Sequence, residues 1–451
     1  MGIFRPYDIR GIYPTEINEK IAHDLGKAFA TYIARVSKKT KPTIAVGRDT
    51  RIGSESMMKE FIKGLVDTGC TVIDVAETTT PMMIFIPAFY KLDGGAIITA
   101  SHNPKEYNGV KFTGQLGKVI GYENGLKDVQ EIFDSKTFRK GSGKVEKIDA
   151  IKEYSDFLLS KMGRKKFSGM KVVFDAGNGV TGLIYPKILS NFGIELIELN
   201  CKPDGNFPNR DPDPNKKGAM QKLQEKVVEE GADLGIATDA DGDRLVIVDE
   251  KGSIIEPREV FGMLIRHVLK KNRGSRIVHD VLSSSLIEKL IKSNGGIPVV
   301  CKVGRAFIYD ALVKENGFMA GEISGHYFFK DVFNADDSLY ASLKLMEYVT
   351  SLGKKLSECR DFPKYYYEEM RVLINADEKQ RFVESLKKDF ISKGYKVDTL
   401  DGVKVNLDCG WALFRPSNTE PKISLAFESN SQKDFEKLKS FVEVVVSKMP
   451  R

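Results

Sequence analysis

The stretch DADGDR, residues 239–244, sets three carboxylates at alternate positions with an arginine beside them. Asp239, Asp241 and Asp243 lie so close along an extended backbone that they repel unless a cation joins them. Hard oxygen donors of this kind suit Mg²⁺ or Ca²⁺. A calcium-binding helix–loop–helix does not fit. Glu250 falls at the twelfth loop position, but Arg244 stands where the required glycine belongs, and residues 234–236 and 245–248 read as strands. A solvated acidic turn is the plain alternative for an isolated D-x-D-x-D. Arg244 favours a site that handles a metal and a phosphate together.

Three further loops offer chemistry. TASHNP, residues 99–104, ends an apolar run in a hydroxyl and a turn. Ser101 is either a turn serine or a nucleophile. Neighbours on an extended chain face opposite ways, so His102 is not expected to reach the Ser101 hydroxyl. No G-x-S-x-G elbow is present, which removes the commonest serine-hydrolase arrangement. RPSNTEP, residues 415–421, gathers Arg415, Ser417, Asn418 and Thr419, a planar cation and three neutral donors suited to grasping phosphate. Read alone, it is equally a turn made rigid by two prolines. GEISGHY, residues 321–327, mixes Glu322 with Ser324 and His326, the partners that vicinal sugar hydroxyls require.

The elements that must position these loops recur three times. A buried strand from Thr43, a helix from Glu55, a strand from Thr71 and a third strand through Ala96-Ile97-Ile98 lead to TASHNP. The same order starts at Lys171 and ends in DADGDR; it starts again at Arg276 and ends in AGEISGHY. Short strands alternating with helices predict parallel α/β units, and ligands of such sheets bind beyond the carboxyl ends of strands. From about residue 365 the pattern changes to a strand, a helix over 378–393, a hairpin near Asp401-Gly402 and a last helix over 432–448. The expected fold is α/β: three consecutive similar domains with mixed, mostly parallel sheets, plus a C-terminal α+β domain, around a central cleft. The expected boundaries are 1–148, 149–252, 253–364 and 365–451.

The totals narrow the class. A chain of 451 residues with 41% hydrophobic and 29% charged residues is expected to fold as several soluble domains. The net charge of +7 comes without a basic, aromatic-laced block, so no nucleic-acid partner is expected. No apolar run is long enough for a membrane, and MGIFRPYDIR lacks a signal-peptide layout, so a cytoplasmic protein is expected. The five cysteines are scattered, without a C-x-x-C pair, and read as reduced thiols.

Taken together and in order, the motifs resemble the α-D-phosphohexomutase family over essentially the whole chain. FRPYDIRG (4–11), GNGVTG (177–182) and PDGNFPNRDPDP (203–214) match it too. GEISGH is most like the phosphomannomutase/phosphoglucomutase group; phosphoglucosamine mutases usually carry Gln at the place of Ile323, and such a mutase is the alternative. The resemblance implies a phosphoserine at Ser101 that gives its phosphoryl group to a hexose 1- or 6-phosphate. The resulting 1,6-bisphosphate turns over and returns its other phosphate, and the same compound primes the enzyme. Mg²⁺ would be held by Asp239, Asp241, Asp243 and a phosphoserine oxygen. Arg10 and Arg244 would add positive potential, and His102 would orient the loop or the phosphate. Lys111, in NGVK, would act as general acid/base, for which its pKa must fall. Glu322, Ser324, His326, Arg305, Lys302 and Tyr7 would meet the sugar; Arg415, Ser417, Asn418 and Thr419 would hold the idle phosphate. The sugar and anchoring loops are expected to sit apart from the metal. The sequence departs from the family at Arg305, often His, and near Leu282, often Lys, where Lys302 is a candidate substitute. The partners implied are small hexose phosphates, with no nucleic acid or membrane, and a monomer or homodimer. A serine-nucleophile, metal-dependent phosphatase is the rival from another class; net release of inorganic phosphate would mark it.

Overall fold

The structure, a computed structural model, describes residues 2–164, 166–375, 377–417 and 421–450. Its first sheet has seven strands, with Gly94–Ile98 at the centre between Thr43–Arg48 and Tyr107–Thr113. The second sheet is built on Lys171–Asp175, flanked by Glu195–Leu199 and Leu234–Thr238. The third is built on Arg276–Asp280, flanked by Ile297–Cys301 and Met319–Gly321. In the fourth domain Tyr366–Leu373, Lys422–Ser429, Gly410–Pro416, Val403–Leu407 and Lys396–Asp398 pair in that order, all antiparallel.

The expectation of mostly parallel sheets needs correction. In each of the first three sheets, parallel and antiparallel pairings occur in equal number. The reason lies in the functional loops. Each joins the third strand of its unit to a fourth that returns beside it: Leu234–Thr238 to Leu245–Asp249, for instance, with Thr238 opposite Leu245. So short a connection can close only an antiparallel hairpin, because a parallel return needs a crossover of a dozen residues or more. Chemistry-bearing residues are thereby held at hairpin tips between two hydrogen-bonded strands.

The seams follow the sheets. Lys144–Lys147 is an edge strand of the first sheet, and the helix Ala150–Met162 comes next. Ile254–Ile255 pairs with Leu245–Asp249, so the second sheet runs beyond the boundary at 252 expected from sequence. Tyr366 opens the fourth sheet.

Helix starts follow local chemistry. Asn18, Thr79, Ser284, Asp337 and Ser431 each accept an N–H of the first turn they precede. The largest apolar core is continuous through the first three domains. Phe85, on the helix Thr80–Phe89 of the first, packs its ring 5.2 Å from Tyr154 and 5.9 Å from Phe333. Burying a side chain of this size contributes about 1.5–3 kcal/mol, so these domains are fused by their interior. The fourth has its own core around Phe390, Phe414 and Phe427. It meets the third through a small apolar cluster of Val281, Trp411, Leu413 and Ala426, with Leu282 and Val303 packed against it. Among the described residues no helix is long and apolar enough to cross a membrane.

Candidate active site

Hairpin loops of the first three domains and strands of the fourth line one cleft of about 750 Å³, among others through Arg10, Ser101, Lys111, Asp243, Arg244, Arg305, Glu322, His326, Arg371 and Arg415. Ser101 is buried, and its backbone has φ +51°, in the left-handed region. That turn settles why the strand ends in a hydroxyl: it aims Oγ across the domain boundary, where it donates to Asp239 Oδ2 at 2.9 Å. It also corrects an expectation. On this non-extended backbone the Ser101 Oγ lies 3.2 Å from His102 Nδ1.

The histidine does not thereby become a base for the serine. Arg244, which can only donate, places Nη2 3.3 Å from His102 Nε2. Nε2 is therefore the acceptor of the ring, and Nδ1 carries the hydrogen and donates to Oγ. Burial, Arg244 and Arg10 hold the His102 pKa well below its ordinary value, which keeps the ring neutral. His102 thus orients the hydroxyl. The same guanidinium donates from Nε to His326 Nε2 at 3.2 Å and stands 3.5 Å from Asp213, so Arg244 ties three loops together.

The serine loop is braced by two arginines. Arg10 donates to the Ala100 carbonyl at 3.1 Å and to the Asn103 side chain, and pairs with Asp8 at 2.7 Å. Arg51, whose side chain is fully buried, donates to the carbonyls of Ser101, Asn103, Pro104 and Tyr107. Sequence reasoning missed Arg51. The available signal was its place, with Asp49, in the polar turn that ends a buried strand at Arg48. Thr80 was missed as well; its hydroxyl donates to Asp241 Oδ2 at 2.6 Å.

Asp239, Asp241 and Asp243 are all buried, with one oxygen from each within 4.8 Å of the others. Asp239 Oδ1 accepts the backbone N–H groups of Gly242, Asp243 and Arg244, each at 3.1 Å. Burial and the two neighbouring carboxylates push Asp239 well above the usual carboxylate range. Asp241 Oδ1 and Asp243 Oδ1 are buried without a hydrogen-bond partner among the described residues. Orphaned carboxylate oxygens beside a strained third carboxyl are the donor set a hard dication fits. A second acidic group, Asp243 with His326 and Asp336, is also compact. It fits a cation less well, because Arg305 already spans both oxygens of Asp336, at 2.5 and 2.8 Å. Asp336, another residue the sequence reading did not single out, is held down to about 2; burial opposes this, and Arg305 and His326 outweigh it.

Lys111 stands among the carboxylates of the triad. Its Nζ stands 2.7 Å from Asp241 and 2.6 Å from Asp243. Burial works against its charge, but the two carboxylates outweigh burial and raise its pKa above the ordinary lysine value. A lysine held this way is an acid and a counter-charge.

The sugar-facing set is only partly gathered. Glu322 and His326 are buried at the cleft wall, and Ser324 donates to Glu322 Oε2 at 2.7 Å. Asp280, not foreseen, lies beside them; burial and then Glu322 push it up to about 7. Tyr7 and Arg305 line the cleft. Lys302 does not: it is exposed, with Nζ 5.3 Å from the Phe307 ring, and so does not stand in for the lysine missing at Leu282. The sugar loop also does not sit apart from the metal candidates, since His326 Nδ1 is 3.7 Å from Asp243 and 3.1 Å from Asp336. Of the phosphate loop, Arg415 faces the cleft and Ser417 is held by a backbone bond to Lys422. Asn418 and Thr419 lie outside the described residues.

Three α/β units and an antiparallel fourth domain, with an acidic triad facing a buried serine, define the class: a multidomain enzyme of phosphoryl transfer. Family models agree with that assignment in chain order. The α/β/α domains I, II and III of phosphoglucomutase/phosphomannomutase match residues 1–140, 151–252 and 256–366, and the C-terminal domain matches 369–443. A phosphomannomutase/phosphoglucomutase of Pseudomonas aeruginosa is 35% identical over 97% of this chain and 94% of its own. A phosphoglucomutase/phosphomannomutase of Thermococcus kodakarensis is 35% identical over 98% and 97%. The crystal structure of a family member from Burkholderia thailandensis superposes with a TM-score of 0.90 at 30% identity, covering 98% of this chain and 96% of that one. The chain belongs to the phosphoglucomutase/phosphomannomutase family, isomerases that interconvert hexose 1- and 6-phosphates.

Proposed function

We propose that the chain interconverts the 1- and 6-phosphates of glucose and mannose through a phosphoserine at Ser101 and a hexose 1,6-bisphosphate. The observation that carries this is the Ser101 hydroxyl, turned by its left-handed backbone onto Asp239 in a cleft lined by all four domains. The phosphoryl group leaves Ser101 Oγ as the P–O bond breaks, the free hydroxyl of the hexose phosphate forms the new one, and the proton that hydroxyl loses ends, in net, on Ser101 Oγ. The bisphosphate then turns over in the cleft, and Ser101 Oγ takes back the other phosphoryl group. Asp239, Asp241 and Asp243 would hold Mg²⁺, which when bound neutralises charge on the transferring group.

The chain's own residues supply the rest. Arg10 and Arg51 hold the serine loop, and His102 orients Oγ. Lys111 and Arg244 add positive potential where equatorial phosphoryl oxygens gather charge. Glu322, Ser324 and His326 meet the sugar hydroxyls, and Tyr7 and Arg305 line the same cleft. Arg415, with the loop that follows it, grips the phosphate that is not reacting. A hexose 1,6-bisphosphate primes enzyme whose serine is free. We place the enzyme in the cytoplasm.

The test is Ser101→Ala, assayed with glucose 1-phosphate, glucose 1,6-bisphosphate and Mg²⁺. The expected outcome is loss of turnover by at least about 10³-fold with an unchanged circular dichroism spectrum. A variant turning over at the wild-type rate ends the phosphoserine reading.

A further inference from the structure

Arg415 is the proposed grip on the idle phosphate, and it has a fixed neighbour that none of the cleft motifs contains. Asp401 Oδ2 lies 3.6 Å from Arg415 Nη1. The same oxygen accepts the Val303 N–H at 2.9 Å. Asp401 and Arg415 belong to the fourth domain, whereas Val303 belongs to the third. The carbonyl of Val303 in turn accepts the Tyr7 hydroxyl of the first domain at 3.0 Å. Gly304 follows with φ +127°, and a Cβ there would stand 2.5 Å from the Tyr7 ring. The segment is therefore pinned from two sides, one residue before Arg305, whose Nε comes within 4.0 Å of Asp243.

Asp401 is itself held against the strand it serves. It lies in the turn between Lys396–Asp398 and Val403–Leu407. Gly402, at φ +89°, sits so close to that strand that a Cβ would be 2.4 Å from the Phe414 carbonyl and 2.9 Å from Arg415 Cα. At 3.6 Å the Asp401–Arg415 contact is ionic and longer than a hydrogen bond. The guanidinium keeps donors for an incoming anion, and its buried Nε has no hydrogen-bond partner among the described residues. The carboxylate restricts where that guanidinium can swing.

We infer that Asp401 is a positioning residue for hexose phosphate binding: one carboxylate ties the phosphate-gripping arginine of the fourth domain to the Val303–Arg305 segment of the third. This rests on the reading of Arg415 as a phosphate grip. Asp401 acts on a binding group remote from the reacting atoms, so its loss shows in KM more than in kcat. Asp401→Asn keeps an acceptor for the Val303 N–H and removes the charge facing Arg415, which separates the two tasks.

Steady-state kinetics of Asp401→Ala, Asp401→Asn, Arg415→Ala and the double variants test this, with glucose 1-phosphate as substrate and saturating glucose 1,6-bisphosphate and Mg²⁺. Asp401→Ala should raise KM about tenfold with kcat within about twofold, and Asp401→Asn should fall between it and wild type. In the Arg415→Ala background, Asp401→Ala should add less than about twofold, because its partner is gone. Wild-type KM in Asp401→Ala, or single effects that multiply in the double variant, overturns the inference and leaves the phosphate grip standing. Unchanged KM in Arg415→Ala overturns both. Should Asp401→Ala fail to fold, Asp401→Asn and its double variant carry the same test.

Discussion

The two ends of the cleft are built differently. At the serine end Ser101, Lys111, Arg51 and the three aspartates are buried, and neighbouring loops are bonded together: Ser101 to Asp239, Lys111 to Asp241 and Asp243, Arg51 to four backbone carbonyls. Those loops stand on a core shared by three domains. At the phosphate-anchoring end, Arg415 belongs to a domain with a core of its own, joined to the third by one small apolar cluster and a few polar ties. The contrast fits what each end is asked to do. Phosphoryl transfer needs charges fixed before the reaction begins, because reorganising them during it adds to the barrier. On the proposed mechanism the anchoring end accepts either phosphate of a sugar that reverses its orientation, a task for few, well-aimed donors.

If this division is correct, damage at the serine end should strike kcat and damage at the other end KM. After Ser101→Ala, the largest effect is expected from Asp241→Asn. It removes one triad charge and a partner of Lys111, and kcat should fall by about 10²–10³-fold, with half-saturation shifted to higher Mg²⁺. A metal titration of activity checks it, and an unchanged Mg²⁺ requirement would count against the triad as the metal site. Arg415→Ala should raise KM about tenfold or more and spare kcat to within a few-fold. A matched fall in kcat would show that the anchoring end takes part in the transition state, which would erase the contrast.

The smallest effect concerns Asp280, at the wall between the two ends. Its carboxyl keeps its proton up to about pH 7 in the fold, through burial and then Glu322, but ionises near pH 4 in the unfolded chain. Between those values the folded state binds the extra proton, so stability should fall as pH rises from about 4 to about 7 and then level off. Asp280→Asn should flatten that slope. Urea unfolding midpoints across the range measure it; an equal slope in both proteins would place the titration elsewhere.

The chemistry was legible in the sequence where a local run of residues carries it. DADGDR declares three carboxylates whatever the fold, and the recurring strand–helix order places it at the end of a third strand. Arg51 and Asp336 were not legible, because each acts on a loop far away in sequence: Arg51 on residues 101–107, Asp336 on Arg305 and His326. The same holds for Lys111. Its type and motif were visible, but the direction of its pKa depends on two carboxylates 130 and 132 positions further along. Lys302 erred the other way, since a cation near the right loop in sequence turned outward in space.

By itself the sequence determined the inventory: which groups exist, the strand-and-helix rhythm that brings them to loop tips, and the four-part order. Those properties follow from side-chain chemistry and from the 2- and 3.6-residue periods of the backbone. The tertiary structure decided which groups face one another and in what state of charge. It turned a serine at φ +51° onto an aspartate of another domain, and it held a lysine charged. Burial and Coulomb energy depend on distances through space, and no local spacing encodes those.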